Sequence, residues 1–141
     1  MEPSARPAKE FAVVTCMDAR LDPYEILGLE HGDAHVIRNA GGIVTDDVIR
    51  SLAISQRLLG TREVVLIQHT GCGLLTISDE DFARGLREET GTEPDWSAGA
   101  FLDLDENVRA SVARLEADPF TIGSVRGYVY ELEAGRLREV T

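Results

Sequence analysis

Apolar residues recur along this chain in two rhythms, one of strands and one of helices. Phe11-Ala12-Val13-Val14 and Val64-Val65-Leu66-Ile67 are short unbroken apolar runs, as expected of strands buried on both faces. Ala34-His35-Val36-Ile37 is a weaker run of the same kind. Ahead of the third run, Val48, Leu52 and Leu59, flanked by Ile49 and Leu58, give one apolar helical face. Thr45 can cap that helix, Asp46 and Asp47 suit its positive end, and Gly60 can stop it. Ser78 with Asp81 resembles a capping box opening a helix that carries Phe82 and Leu86 and stops at Gly91. From about Asp105, Val108, Val112 and Leu115 return at helical spacing, and Pro119 lies just past the end. Asp22-Pro23 reads as the N-cap and first residue of another helix.

The end of the chain changes character. Val125 to Leu132, with Tyr128 and Tyr130, reads as a strand, and Glu133-Ala134-Gly135-Arg136 can turn it back into Leu137 to Val140. The fold class expected is therefore α/β: a single domain with a mostly parallel central sheet covered by helices, and a C-terminal antiparallel edge hairpin. Residues 1–10, rich in Pro, Ala and charge, read as an N-terminal arm that is mobile or docked, with the domain proper at 11–141. Residues 92–103 are polar and irregular, with Trp96 and Phe101 as expected anchors, and the connection from Pro119 to Ser124 is short.

Composition removes several function classes. At 141 residues the chain fits one domain, and 25 Asp+Glu against 14 Lys+Arg give a formal charge of −11. Nucleic acid is excluded as a partner, because phosphate binding needs a basic face. No apolar stretch approaches the ~20 residues of a membrane span, and MEPSARPAKE has no apolar leader core, so a cytoplasmic location is expected. In such a compartment the two cysteines, Cys16 and Cys72, point to metal or catalysis before a disulfide.

Cys16 stands two residues past Val14 and His69 two past Ile67, both at the C-terminal ends of expected strands. Ligands of open α/β sheets sit beyond those ends, where the strand order reverses. If the first strand lies between the second and third, Cys16 and His69 become neighbours there. His69-Thr70-Gly71-Cys72 brings a second thiol within reach, and two Cys with one His is a known catalytic zinc set that leaves the fourth place for water. Residues 16, 18 and 20 share a face if the segment is extended, which sets Asp18 and Arg20 beside the metal. There Asp18 either ligates the ion or orients its water.

Cys16-x-Asp18-x-Arg20, Arg38-Asn39-Ala40-Gly41-Gly42, His69-x-x-Cys72-Gly73 and Ser124-Val125-Arg126-Gly127, in that order, resemble the β-class carbonic anhydrases. The likeness runs from about Phe11 to the end of the chain and is greatest to short actinobacterial-type members. It implies Zn2+ held by Cys16, His69 and Cys72, with Asp18 and Arg20 as the catalytic pair. It also implies that the Gly73 N–H holds substrate or bicarbonate while Gly41 and Gly42 help wall the pocket. Homodimers or multiples of dimers, with pockets at the subunit interface, are the implied assembly. The implied reaction is reversible hydration of carbon dioxide to bicarbonate by a zinc-bound hydroxide. A carbonyl sulfide or carbon disulfide hydrolase of the same fold is the nearest alternative. A non-catalytic zinc or thiol-switch protein is the alternative from another class. Relatives that carry a second bicarbonate site have an aromatic residue three places before the first Cys, where this chain has Val13.

Overall fold

A computed structural model describes residues 4–141, so the first three residues of the expected arm lie outside it. Five strands form one sheet in the order β2-β1-β3-β4-β5, where β1 is Phe11–Cys16, β2 Ala34–Asn39, β3 Glu63–His69, β4 Ser124–Glu131 and β5 Arg136–Val140. The first four run parallel, and β5 returns antiparallel at the edge. The first strand is thus flanked by the second and third, and the order reverses at β1. The helices are α1 (Pro23–Leu27), α2 (Asp46–Leu59), α3 (Asp79–Thr90) and α4 (Leu104–Ala117).

Ala12 and Val14 of β1, Val64 and Leu66 of β3, Val48 and Leu52 of α2, and Leu115 of α4 make one buried cluster. Hiding each such side chain is worth about 1.5–3 kcal/mol, so this cluster ties the two helices to the central strand pair. The Thr15 hydroxyl donates to the Ile67 carbonyl at 2.8 Å, locking that pair where the site begins.

The caps follow the expected chemistry. Asp22 caps α1 ahead of Pro23, Thr45 accepts from the Val48 N–H at the start of α2, and Ser78 accepts from the Asp81 N–H at the start of α3. The face of α2 differs from expectation. Val48 and Leu52 are buried, but Leu58 is exposed and polar Ser55 and Gln56 take the inner places. Ser55 Oγ lies 2.7 Å from Thr61 Oγ1 and 2.6 Å from His35 Nδ1. Gln56 donates to the Ile122 carbonyl (2.7 Å) and accepts from its N–H (3.0 Å). These bonds satisfy polar groups that would otherwise be costly to bury.

The Gln56 bridge also explains how the short 119–124 connection reaches β4. Asp118 accepts from the N–H groups of Phe120 and Thr121, and Gly123 turns with φ 75°, where a Cβ would run into the Arg62 carbonyl. Phe101 is buried as an anchor, whereas Trp96 is 59% exposed and rests on Phe82. No residue of α3 is buried among the described residues, and its Phe82 packs against Trp96 at the surface. Within the arm, Pro7 is buried, and Ala8 and Lys9 donate to the carbonyls of Gly32 and Asp33.

Candidate metal centre

Cys16 ends β1 and His69 ends β3, on adjacent parallel strands. The chain then turns through Thr70 and Gly71 to Cys72, which opens a short 3-10 turn at Gly73–Leu75. One ligand atom from each of Cys16, His69 and Cys72 lies within 4.8 Å of the other two, and all three residues are buried. Among the described residues no other group of His, Cys, Asp and Glu is so placed.

His69 shows what the cluster lacks. Its Nδ1 is 2.8 Å from the Thr70 carbonyl, which can only accept, so that nitrogen carries the hydrogen. The lone pair on Nε2 is then free, and Nε2 is fully buried with no partner among the described residues. A buried nitrogen base without a donor is costly. A cation between it and the thiols removes that cost, and N/S donors in this number suit zinc. The residues present therefore fit the ion.

The two thiols have different surroundings. The Gly41 N–H donates to Cys16 Sγ at 3.3 Å. Burial pushes the Cys72 thiol up, with the Leu74 N–H acting against it and the nearby Cys16 adding to it. A bound cation reverses that balance, because a coordinating thiol is deprotonated outright.

The loop after β1 is a turn, not the extended segment expected. Leu21 N–H donates to the Asp18 carbonyl at 3.1 Å, and the bend brings Arg20 back onto Asp18. Arg20 donates to both carboxylate oxygens (3.0 and 2.7 Å) and adds its backbone N–H at 2.8 Å. Those bonds, the side-chain ones first, hold the Asp18 carboxyl far below the usual carboxylate range, and Asp18 in turn raises Arg20. Arg20 also donates to the Gly71 carbonyl at 3.0 Å, tying the pair to the His69–Cys72 turn. Asp18 Oδ2 stops 3.8 Å from His69 Nε2.

In front of the thiols is a cavity of about 320 Å³, walled by Met17, Ala40, Leu74 and Ile77, with Gly41 and Gly73 on its lining and Asp18 as its one charged group. Gly42 sits behind this wall with φ 63°, where a Cβ would lie 2.8 Å from Cys16 N and Thr15 C. Gly42→Ala should therefore cost about 2–4 kcal/mol, from backbone strain plus overpacking. Urea unfolding checks this, and an unchanged midpoint would show that β1 yields more readily than the contact implies.

Two residues here escape a reading by type and spacing. Arg38, which on its own would read as a surface cation and enters the sequence reading only within the Arg38–Gly42 motif, donates to three backbone carbonyls, those of Cys16, Asp18 and Leu21. Asn39 clasps Ile43 through both its amide groups and closes the 39–43 loop that presents Gly41. Only an Asn four places before the far end of a Gly-Gly turn hints at the second, and nothing local hints at the first.

Comparison with known proteins agrees with this geometry. The family described as carbonic anhydrase matches residues 11–97. Beta-carbonic anhydrase 1 of Mycobacterium tuberculosis is 57% identical over 137 residues, covering 96% of this chain and 84% of that protein. A carbon disulfide hydrolase of Saccharolobus solfataricus is 46% identical over 154 residues, covering 90% of this chain and 75% of that one. The crystal structure of carbonic anhydrase from Streptococcus mutans superposes with a TM-score of 0.92 at 43% identity, over 96% of this chain and 84% of that one. With its strand order, its Cys-His-Cys cluster and these relatives, the chain belongs to the β-carbonic anhydrase family.

Proposed function

We propose that this protein catalyses the reversible hydration of carbon dioxide to bicarbonate, with zinc held by Cys16, His69 and Cys72. The observation that carries the reading is the unpartnered, buried Nε2 of His69, facing two thiols at the floor of a small apolar cavity. Bound there, zinc would supply a Lewis acid that brings the pKa of water from 15.7 towards about 7.

The protein's own groups do the rest. The Thr70 carbonyl fixes the tautomer of His69, and the Gly41 N–H donates to Cys16 Sγ and orients it. Arg20 keeps the Asp18 carboxylate ionised and occupied, so that Asp18 would accept a hydrogen bond from the attacking water and orient it without filling its place. Met17, Ala40, Leu74 and Ile77 offer carbon dioxide, which is small and apolar, a wall that competes poorly for water. The Gly73 N–H, at the start of its 3-10 turn, has no partner within that turn and is free to donate to a substrate or bicarbonate oxygen.

The 46% identical carbon disulfide hydrolase keeps a second substrate class in view. A stopped-flow carbon dioxide hydration assay, followed by carbonyl sulfide and carbon disulfide assays on the same sample, decides between them. Zinc-loaded protein that turns over none of the three would point to the zinc or thiol-switch reading.

No described helix is long and apolar enough to cross a membrane. Both cysteines are free thiols, which supports a reducing, cytoplasmic setting. For assembly we propose a homodimer or a multiple of dimers. Trp96 at 59% and Leu102 at 94% exposure, together with an α3 that buries nothing, leave apolar surface for a second copy. Sedimentation at micromolar concentration should show a dimer, as expected of an interface that buries at least about 1,000 Å² in total. A fully active monomer would show that one chain completes the pocket.

A further inference from the structure

Arg38 stands on edge strand β2, yet its side chain reaches into the loop that follows β1. Its guanidinium donates to the carbonyls of Cys16 (2.9 Å), Asp18 (2.8 Å) and Leu21 (3.1 Å). These three acceptors belong to one arc of main chain, closed by the Leu21 N–H on the Asp18 carbonyl. Among the described residues, all three hydrogen bonds from this guanidinium go to backbone. A rigid planar fork of five donors can hold several carbonyls at fixed angles at once, which a flexible point charge cannot.

The arc carries the groups the proposed function needs. Cys16 begins it, Asp18 is its middle, and Arg20 lies within it. Asp18 is therefore gripped at two ends, its carboxylate by Arg20 and its carbonyl by Arg38. Cys16 is gripped likewise, its Sγ by the Gly41 N–H and its carbonyl by Arg38. Because β2 also leads into the Ala40–Gly42 turn, one short stretch supplies both the Gly41 donor and the guanidinium. Without the fork, the Cys16 and Leu21 carbonyls would lose this donor, the Asp18 carbonyl would keep only the Leu21 N–H, and the peptide planes on either side of Asp18 would be held less firmly.

We propose that Arg38 is a positioning residue: its guanidinium sets the main chain on which Cys16 and Asp18 are mounted, and so fixes the angle at which both face His69. The proposal rests on the carbonic anhydrase reading only for its kinetic readout. Its geometric core stands on the hydrogen bonds alone.

The test uses the full chain as wild type, Arg38→Ala, Arg38→Lys and a control, Arg126→Ala, whose partner Glu139 lies on the far edge of the sheet. Each is measured for kcat and KM in carbon dioxide hydration, for thermal midpoint, and for the visible absorption of the cobalt(II)-loaded protein. Both Arg38 variants should lose about 10–100-fold in kcat, the usual effect of removing a group that orients a metal's ligands. KM should stay within roughly threefold, since no substrate contact is removed. The cobalt bands should change in shape. Lysine should restore the thermal midpoint but neither kcat nor the spectrum.

A wild-type kcat and cobalt spectrum in either variant would overturn the proposal. So would losses that follow the thermal midpoint alone and return with lysine. If Arg38→Ala does not fold, Arg38→Lys decides by the same two outcomes. If the wild type fails to hydrate carbon dioxide, the functional reading falls, and the cobalt spectrum still decides this inference: changed bands support it, unchanged bands overturn it.

Discussion

Cys16→Ala, His69→Ala and Cys72→Ala will each purify with little zinc and no measurable hydration activity. The wild type will carry about one zinc per chain, held by two sulfurs and one nitrogen. The expectation rests on position: the three donors lie within 4.8 Å of one another on a buried floor with no substitute among the described residues. Asp18 is the nearest other candidate, and Arg20 already holds both its oxygens. An ion left with two donors would recruit water into a site built against apolar walls, and affinity would collapse. Metal analysis by plasma emission checks the claim for each variant. Full occupancy in any one of them would remove that residue from the ligand set. Since an ion that binds only the folded chain stabilises it by mass action, a chelator should also lower the wild-type melting temperature and leave the three variants unmoved.

Arg20→Ala is expected to cost about a hundredfold in activity across the pH range, close to the upper end for groups that orient a metal's ligands, while zinc stays bound. Asp18 has two cationic partners on offer, the Arg20 guanidinium and the metal. In the structure Arg20 holds both its oxygens, and Oδ2 lies 3.8 Å from His69 Nε2. Remove that partner and the carboxylate swings onto zinc, fills the fourth place and keeps water out. Low pH should favour the same closed form in the wild type, because hydroxide then competes poorly for the metal; a ligand shifts such a balance only by its differential affinity for the two states.

Protonation of Asp18 is not the cause of that closure. Its folded pKa is lowered, so the stability it contributes is complete above the ordinary carboxylate value of about 3.9 and is lost only as pH falls through the lowered one. Any acid loss of activity between about pH 5 and 7 therefore occurs with Asp18 ionised: protonation of the hydroxide lowers the rate, and the gate adds closure of the fourth place by the carboxylate. Asp18→Asn should keep zinc and abolish the acid-side closure. The measurements are pH profiles of hydration and X-ray absorption of zinc at acid and alkaline pH. Normal rates with a water-coordinated zinc in Arg20→Ala would sink the gate.

The parts of this fold that are legible in the sequence are those written in local pattern. Phe11–Val14 and Val64–Ile67 are apolar on both faces because β1 and β3 lie inside the sheet, and the cap residues Asp22, Thr45 and Ser78 mark helix starts by their own hydrogen bonds. The cluster of Cys16, His69 and Cys72 is legible because strand ends and a two-residue gap are local facts. What escapes depends on partners far along the chain. Ser55 and Gln56 read as polar, and only His35, Thr61 and Ile122 make them inner-face residues. Arg38 reads as a surface cation, since three carbonyl acceptors leave no mark in residue type. Trp96 reads as a core anchor by its size, yet it lies on the surface against Phe82 of α3, a contact its residue type does not reveal.

The parallel pairing of β1 with β3 also sets when the site can exist. Thr15 and Ile67, which lock the pair, are 52 residues apart in sequence. At synthesis rates of roughly 5–20 residues per second, β1 leaves the ribosome about 3–10 seconds before the strand that completes its inner flank. Through that interval Cys16 is a lone thiol with no imidazole beside it, and the His69–Cys72 turn is still unmade. Small zinc domains fold around their ion. Here Cys16 and His69 end strands that pair over that distance, the slow step of parallel sheets, so the complete donor set exists only once β1 lies beside β3.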